Sequence, residues 1–343
     1  MDYHKVLDAA KESNGNGIGS TKSGIGPFYM DNANRTTRIT FGEYVGPGFH
    51  DKLRRVIDEK SDQLRIAGID RLDEYIERLI AEHDPMRREL APFRENLEYR
   101  MQEYMRGGHH IIVEGAQGAN LHVDMGTLPY VTSSHLLAPE LLPGLGLSRK
   151  DFLVYLVEKF YPTRVGAGIL PTLVDDQFCN ALVGNAGEIG ATTRRPRRCG
   201  YPDWALIRQN VMLNDADYII LTRVDNVQDE TVRVGVGYVI DGGVTEEVPL
   251  YMEDIERVVW HDRTYNFHLF DAPKDLSTPE EVDAALAPKR QAVIDAGWYA
   301  LPRDLRDYVD DHDRFVGCPT VALRVGPARG ETVYINREDD ARR

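Results

Sequence analysis

Cysteine is nearly absent. The 343 residues hold only Cys179, Cys199 and Cys318, far apart and with no CxxC pair. That excludes a disulfide framework and points to a reducing compartment, the cytoplasm being the expected one. No apolar run approaches the roughly 20 residues needed to cross a bilayer, and the polar start, MDYHKVLDAAKE, lacks the core of a signal peptide. Positive charge is also short, since 41 Lys and Arg against 55 Asp and Glu leave a formal net charge of −14. A field of that sign argues against non-specific binding to nucleic acid or anionic membranes. A small anionic substrate is still accommodated wherever cations gather locally. The apolar and charged shares, 42% and 28%, are those of an ordinary soluble globular chain.

The stretch Ile111 to Ser134, IIVEGAQGANLHVDMGTLPYVTSS, opens with a β-branched run that reads as a buried strand, Ile111–Val113. Two glycines then flank Gln117 and allow a sharp turn, the kind of place beyond a strand end where ligands collect in open α/β sheets. Asp124, Gly126 and Thr132-Ser133-Ser134 add partners suited to a phosphate or sugar. An ordinary solvated strand-loop fits the spacing equally well.

Along the chain, a short helix is expected over residues 2–12, followed by the glycine- and hydroxyl-rich GIGSTKSGIGP. That segment fails as a Walker loop, because Thr21 stands where glycine should precede Lys22, but its hydroxyls suit an anion. Residues 51–106 carry helical periodicity, which Pro85 and Pro92 are expected to divide. A helix is expected at about Arg149–Phe160, a glycine-broken strand over Thr163–Thr172, a helix at Trp204–Leu213 and a strand at Tyr218–Leu221. A hairpin follows over Val232–Pro249 with Asp241-Gly242-Gly243 as its turn, then a helix at Pro279–Ala296 and a strand at Thr320–Val325. The acidic run Asp307–Asp313 is the one low-complexity hint. Alternating helices and short apolar strands predict one α/β domain over 1–343, with a mainly parallel central sheet flanked by helices and a helical subregion near 51–106.

Arg194, Arg195, Arg197 and Arg198 follow Ala191-Thr192-Thr193. Arginine forks grip carboxylates and phosphates, so four of them beside hydroxyls form a local anion trap. A solvated basic turn is the plainer alternative. Thr222-Arg223-Val224-Asp225, at the end of a strand, sits like a guanine-reading [NT]-K-x-D element with arginine in place of lysine, although a helix cap also explains the Asp.

Together GIGSTKSGIGP, EGAQG…GTLPYVTSS, TRVGAG…PT, GATTRRPRR, TRVD and VGPARGET resemble the adenylosuccinate synthetase family, in order and along nearly the whole chain. The resemblance implies a P-loop-NTPase-like fold and a ligase that joins IMP to L-aspartate at the expense of GTP, via 6-phosphoryl-IMP. It implies that Thr21 and Thr132 hold the IMP 5′-phosphate, with Gln117, Val165 and Arg195 also on IMP. Arg35 would reach the other subunit's site in a homodimer. Ala191, Thr192, Thr193, Arg195 and Arg197 would bind aspartate, and Arg197, Arg223, Val224, Asp225, Arg324, Val325 and Gly326 would bind GTP.

The resemblance also implies Mg2+. Its ligands, with the catalytic aspartate and histidine, belong to an N-terminal family segment that the motifs of this sequence do not include, so this polypeptide alone is expected to show little synthetase activity. Other departures are Arg194 for a usual glycine, Arg223 for lysine, and Lys22-Ser23 and Arg324 within their motifs. Two alternatives stand beside the synthetase: a phage-type 2-aminoadenylosuccinate synthetase acting on dGMP with a different triphosphate, and a catalytically inactive nucleotide-binding or interaction module.

Overall fold

A computed structural model describes residues 1–13, 18–174, 188, 190, 195–226, 231–270 and 278–335. The chain divides into two compact units, the first comprising residues 1–136 and 140–147, the second 137–139 and 148–343.

The first unit is helical: α1 (Asp2–Ser13), α2 (Ile25–Ala33), α3 (Phe41–Val45), α4 (Phe49–Glu59), α5 (Ser61–Ile66), α6 (Leu72–Leu90) and α7 (Leu97–Arg106). Its core forms because Leu53, Val56 and Ile57 share one face of α4, while Tyr75, Ile76, Leu79 and Ile80 share one face of α6. Each such buried aliphatic side chain contributes about 1.5–3 kcal/mol of transfer free energy. Thr40 starts α3 with a reciprocal cap, accepting from the Glu43 amide at 3.3 Å while its own amide donates to Glu43 Oε2 at 2.8 Å.

Pro85 does not divide the helical region; it lies inside α6. The roughly 3 kcal/mol that an interior proline costs is offset by the buried residues before it and by Arg87 after it. The Arg87 guanidinium donates to the carbonyls of Tyr44 (2.5 Å) and Gly46 (2.7 Å), holding the last turn in place. Pro92 does mark a break, opening a 3-10 turn over Ala91–Phe93.

The expected strand at Ile111–Val113 is not formed, and Ile112 is 90% exposed. Three β-branched residues gain a ladder only from a neighbouring strand, and none pairs with them among the described residues.

The second unit is built on a four-stranded sheet in the order β1 (Tyr155–Lys159), β4 (Tyr218–Thr222), β8 (Thr320–Arg324), β9 (Thr332–Tyr334). The first two pairings are parallel and the last antiparallel. The helix expected over Arg149–Phe160 is therefore corrected to a strand. Its alternation fits a period of two, and its register, Leu156 opposite Ile219 and Glu158 opposite Leu221, is that of a parallel neighbour. Among the described residues β1 is one edge of the sheet and β9 the other, and Tyr155 and Val157 on β1 are exposed.

The expected strand at Thr163–Thr172 shrinks to β2, Thr163–Arg164, paired with β3, Arg198–Cys199. Gly166 and Gly168 have φ of 86° and 99°, left-handed backbone that ends a ladder. The hairpin is as expected: β5 (Gly235–Ile240) and β6 (Gly243–Thr245) turn at Asp241 and Gly242, both with positive φ, and β7 (Arg257–Trp260) flanks β5. Helices α8 (Trp204–Asn214), α9 (Pro279–Ala296) and α10 (Arg303–Val316) complete the unit. The acidic run Asp307–Asp313 belongs to α10, an amphipathic helix whose Leu305, Tyr308, Val309, His312 and Val316 are buried. Trp204, Ile219, Leu221, Tyr308 and Leu323 lie in one core.

Candidate functional site

In the first unit, Thr21 sits exposed on a loop moored to α1. The Asp8 carboxylate accepts from Ser20 Oγ at 3.0 and 3.1 Å and from the Gly24 amide at 2.8 Å. Thr21 Oγ1 donates to Ser23 Oγ at 2.9 Å. Gly24 has φ 81°, and a Cβ there would lie 2.8 Å from the His4 backbone, so this close approach of the loop to α1 requires glycine. The Gly26 position lies beside Ser133 Oγ, which brings the loop's helix next to the Thr132-Ser133 segment. The Thr132 amide donates to the Leu121 carbonyl at 2.8 Å, fixing Thr132 to the turn after Gln117. Gln117 is exposed with φ 59°, and Arg35 is exposed on the chain after α2.

The segment's buried anchor is His122. Its Nδ1 accepts from the amides of Asp124 (3.0 Å) and Met125 (3.1 Å), so its proton sits on Nε2, 2.6 Å from Glu140 Oε2. With His135 this makes the one grouping with metal-ligand spacing among the described residues. A ligating ring nitrogen must be bare, but Nδ1 of His122 is taken by two amides and Nε2, which faces Glu140, carries the proton. The trio is a hydrogen-bonded brace.

In the second unit, a carboxylate that the sequence reading passed over organises the cations. Glu188, 2% exposed, accepts from Lys159 Nζ at 2.8 and 2.9 Å and from the Tyr161 hydroxyl at 3.1 Å. Arg197 NH1 lies 3.5 Å and Arg223 Nε 3.9 Å from the same carboxylate. Thr163 Oγ1 is shared as acceptor by Lys159 (3.2 Å) and Arg197 (3.4 Å). Burial alone would raise the Glu188 carboxyl above its usual range; Lys159, Arg223 and Tyr161 outweigh it and hold the group below. Burial likewise draws the Lys159 ammonium down, against the pull of Glu188.

The glycine-rich loop after β2 is wrapped on arginines. Arg198 donates to the carbonyls of Gly166 (2.8 Å) and Gly168 (2.6 Å), leaving half-buried Val165 at the bend. Arg195 is exposed, and its carbonyl accepts from the Gly190 amide at 2.8 Å. Ala191, Thr192, Thr193 and Arg194 lie outside the described residues.

Where β4 ends, Arg223 takes a left-handed φ of 67° and the side chain of Val224 is wholly buried. Burial raises the Asp225 carboxyl, with Arg290 and Arg223 opposing. Arg324 donates to the carbonyls of Pro327 and Ala328 at 3.1 and 2.8 Å and so wraps its own loop after buried Val325. A Cβ on Gly326 would lie 2.4 Å from Glu331 Oε2 and 2.6 Å from Arg290 Cδ, so any side chain there would have to displace this ion pair.

Lys159, Thr163 and Glu188 carry the clearest signal missed in the sequence: a single acid ahead of four arginines, and a lysine two residues before a buried tyrosine. Two cavities, about 390 Å³ at Asp310–Pro319 and about 290 Å³ lined by Phe28, Asp31, Thr37, Tyr44 and Met86, contain none of the motif residues.

Comparison with known proteins gives the family. The adenylosuccinate synthetase family model matches residues 1–267. The adenylosuccinate synthetase of Trichlorobacter lovleyi is 33% identical over 341 residues, covering 98% of this chain and 74% of that protein. That of Geotalea daltonii is 32% identical, covering 99% and 75%. Among solved structures, the fully ligated adenylosuccinate synthetase from Plasmodium falciparum superposes with a TM-score of 0.80 at 26% identity, over 98% of this chain and 76% of that one. The succinoaminodeoxyadenylate synthetase of cyanophage S-2L, bound to dGMP and dATP, shares the fold alone, with a TM-score of 0.52 at 16% identity over 99% and 68%. This chain belongs to the adenylosuccinate synthetase family.

Proposed function

We propose that the chain acts in the purine ligase reaction that joins IMP and L-aspartate at the expense of GTP. The observation that carries this reading is the cation cluster of the second unit. Arg197 and Arg223, from two separate motifs, converge with Lys159 on one buried carboxylate. Phosphoryl transfer needs little covalent help from a protein and much charge stabilisation and positioning. In this reading Arg197 bridges aspartate and the triphosphate, Arg195 and Thr193 hold aspartate and IMP, and Asp225 accepts from the guanine ring N–H and amine. Val224 contributes through its backbone, since its side chain is core, while Arg324, Val325 and Gly326 pack on the base. Thr21, Gln117, Thr132 and Val165 bind IMP.

Exposed Arg35 supports a homodimer in which it enters the partner's IMP site, and the composition supports a cytoplasmic location. Mg2+ is proposed to travel with the triphosphate. Among the described residues the one grouping of acidic, His or Cys side chains with ligand spacing is the His122 trio, which does not fit a cation that demands oxygen ligands. No step is assigned to the metal, and proton abstraction is assigned to none of the described residues.

Thermal unfolding of the purified chain tests the reading. IMP and GTP should each raise the midpoint, and more so together, with dGMP and ATP weaker. Equal or stronger protection by dGMP and ATP would favour the phage-type alternative, and no protection by any nucleotide would overturn nucleotide binding.

A further inference from the structure

We infer that Glu188 is the positioning residue of the cation cluster, the one carboxylate among the described residues that lies within ion-pair reach of Lys159, Arg197 and Arg223 together and sets where they present their charges. The inference rests on the proposed nucleotide-binding reading for its consequence, while its geometry stands independently.

Three segments far apart in sequence meet at this carboxylate. Lys159 comes from the end of β1, Arg197 from the turn before β3, and Arg223 from the residue after β4. Left alone, three cations this close would repel one another, and each flexible side chain would spread over several rotamers. Glu188 replaces that repulsion with a common anchor. Lys159 takes both of its oxygens, and Tyr161 donates from below. The Glu188 backbone is bound as well: its carbonyl accepts from the Arg197 amide at 3.0 Å, so the residue that pairs with the guanidinium also holds the main chain of the same arginine. Thr163 closes the arrangement by accepting from Lys159 and Arg197 together.

The distances distinguish the roles. At 2.8–2.9 Å, Lys159 is fully engaged with Glu188. Arg197 at 3.5 Å and Arg223 at 3.9 Å are oriented by the charge without a short bond to it. Their side chains are 27% and 42% exposed, against 2% for Glu188. Glu188 is thus buried behind the cluster, and the two guanidiniums keep accessible surface for an anionic ligand such as a phosphate or carboxylate.

The test combines two readouts on the full chain. Arginine side-chain NMR follows the Arg197 and Arg223 Nε–H signals in wild type and in Glu188→Gln, and calorimetry follows binding of Mg·GTP. Glu188→Gln should collapse the two resolved guanidinium signals toward the exchange-averaged position of a mobile arginine. It should also weaken Mg·GTP on the order of tenfold or more, as loss of one member of a buried charge network does, and Glu188→Asp should recover part of the affinity. A merely structural role would lower the thermal midpoint and leave the signals and affinity of the folded fraction unchanged, which would overturn the inference. If Glu188→Gln fails to fold, Lys159→Met/Glu188→Gln removes the stranded lysine as well. That double variant should fold with the guanidinium signals still averaged, and signals that stayed resolved would overturn the inference. Wild type that binds no Mg·GTP, with the signals still collapsing in the variant, would sink the nucleotide reading and support the positioning role.

Discussion

The amide of Gly24 donates to Asp8 Oδ2 at 2.8 Å, tying the loop that carries Thr21 back to the first helix of the chain. Because Asp8 also takes Ser20 Oγ, removing the carboxylate by Asp8→Ala strands two donors, the Ser20 hydroxyl and the Gly24 amide. The expected loss is about 1–3 kcal/mol, with IMP protection weakened. Gly24→Ala should cost about 2 kcal/mol or more, since a methyl meets the His4 backbone and φ is left-handed. Urea midpoints of the two variants check both figures, and wild-type midpoints would show the mooring to be idle.

Asp203 caps α8 at the Leu206 amide, and its two oxygens share the Tyr238 hydroxyl proton, each at 2.9 Å. Burial pushes its carboxyl up to about 6. A raised acid stabilises the folded chain fully below its unfolded pKa near 4, and that contribution is lost as pH rises through about 6. At pH 8 the buried charge therefore costs on the order of 2–3 kcal/mol. Asp203→Asn, which keeps an acceptor oxygen, should be at least as stable as wild type at pH 8 and lose that advantage by pH 4. A variant less stable at both pH values would refute this.

His312 is fully buried between Glu158 (3.2 Å) and Asp313 (3.1 Å), with Thr320 donating to Asp313. Burial alone would lower the imidazolium, but Glu158 and Asp313 outweigh it and lift the group to about 9. The sign is the same as for Asp203 and the window lies higher: the stabilisation is complete below about pH 6.5 and is lost as pH rises through about 9. Denaturation midpoints should fall between pH 7 and pH 10 in wild type and stay nearly flat in His312→Gln. Parallel slopes would remove the imidazolium from the account.

Arg195 is exposed, and its side chain should matter for ligand more than for fold. Arg195→Ala should keep the wild-type thermal midpoint within the usual ±0.5 kcal/mol of a surface change, while IMP and aspartate protection falls. Unchanged protection would mean that the basic loop binds something else.

The tautomer of His122 predicts that Zn2+ will not be captured. Titration with Zn2+ should leave the midpoint unshifted at metal concentrations that saturate a built site, and His135→Ala should not alter the outcome. A tight stoichiometric site would show that the Nδ1 hydrogen bonds give way.

Helices with a one-sided apolar stripe, α4 and α6, and the hairpin turning at Asp241-Gly242 were legible because their periods are local. β1 was not, since Tyr155-Leu156-Val157-Glu158-Lys159 becomes a strand only through Tyr218–Thr222, some sixty residues on. Pro85 misled for the related reason that Arg87's tertiary hydrogen bonds outweigh a local penalty. In the site, the arginines stood out by clustering, and the expected roles of Thr21, Thr132 and Asp225 came from motif resemblance. Glu188 stayed hidden because a lone acid among glycines is ordinary until three cations from distant segments are folded onto it.

Lys159, which grips Glu188, belongs to β1, which with β9 forms the two edges of the sheet among the described residues. Amides of β4 are held from both flanks by β1 and β8, whereas among the described residues β1 is held from one alone. In hydrogen exchange β1 should therefore lose protection ahead of β4. One of the three cations is thus anchored to a strand that opens before the sheet's centre, while Arg223 follows the central strand β4, so ligand capacity should fade on warming before the core melts.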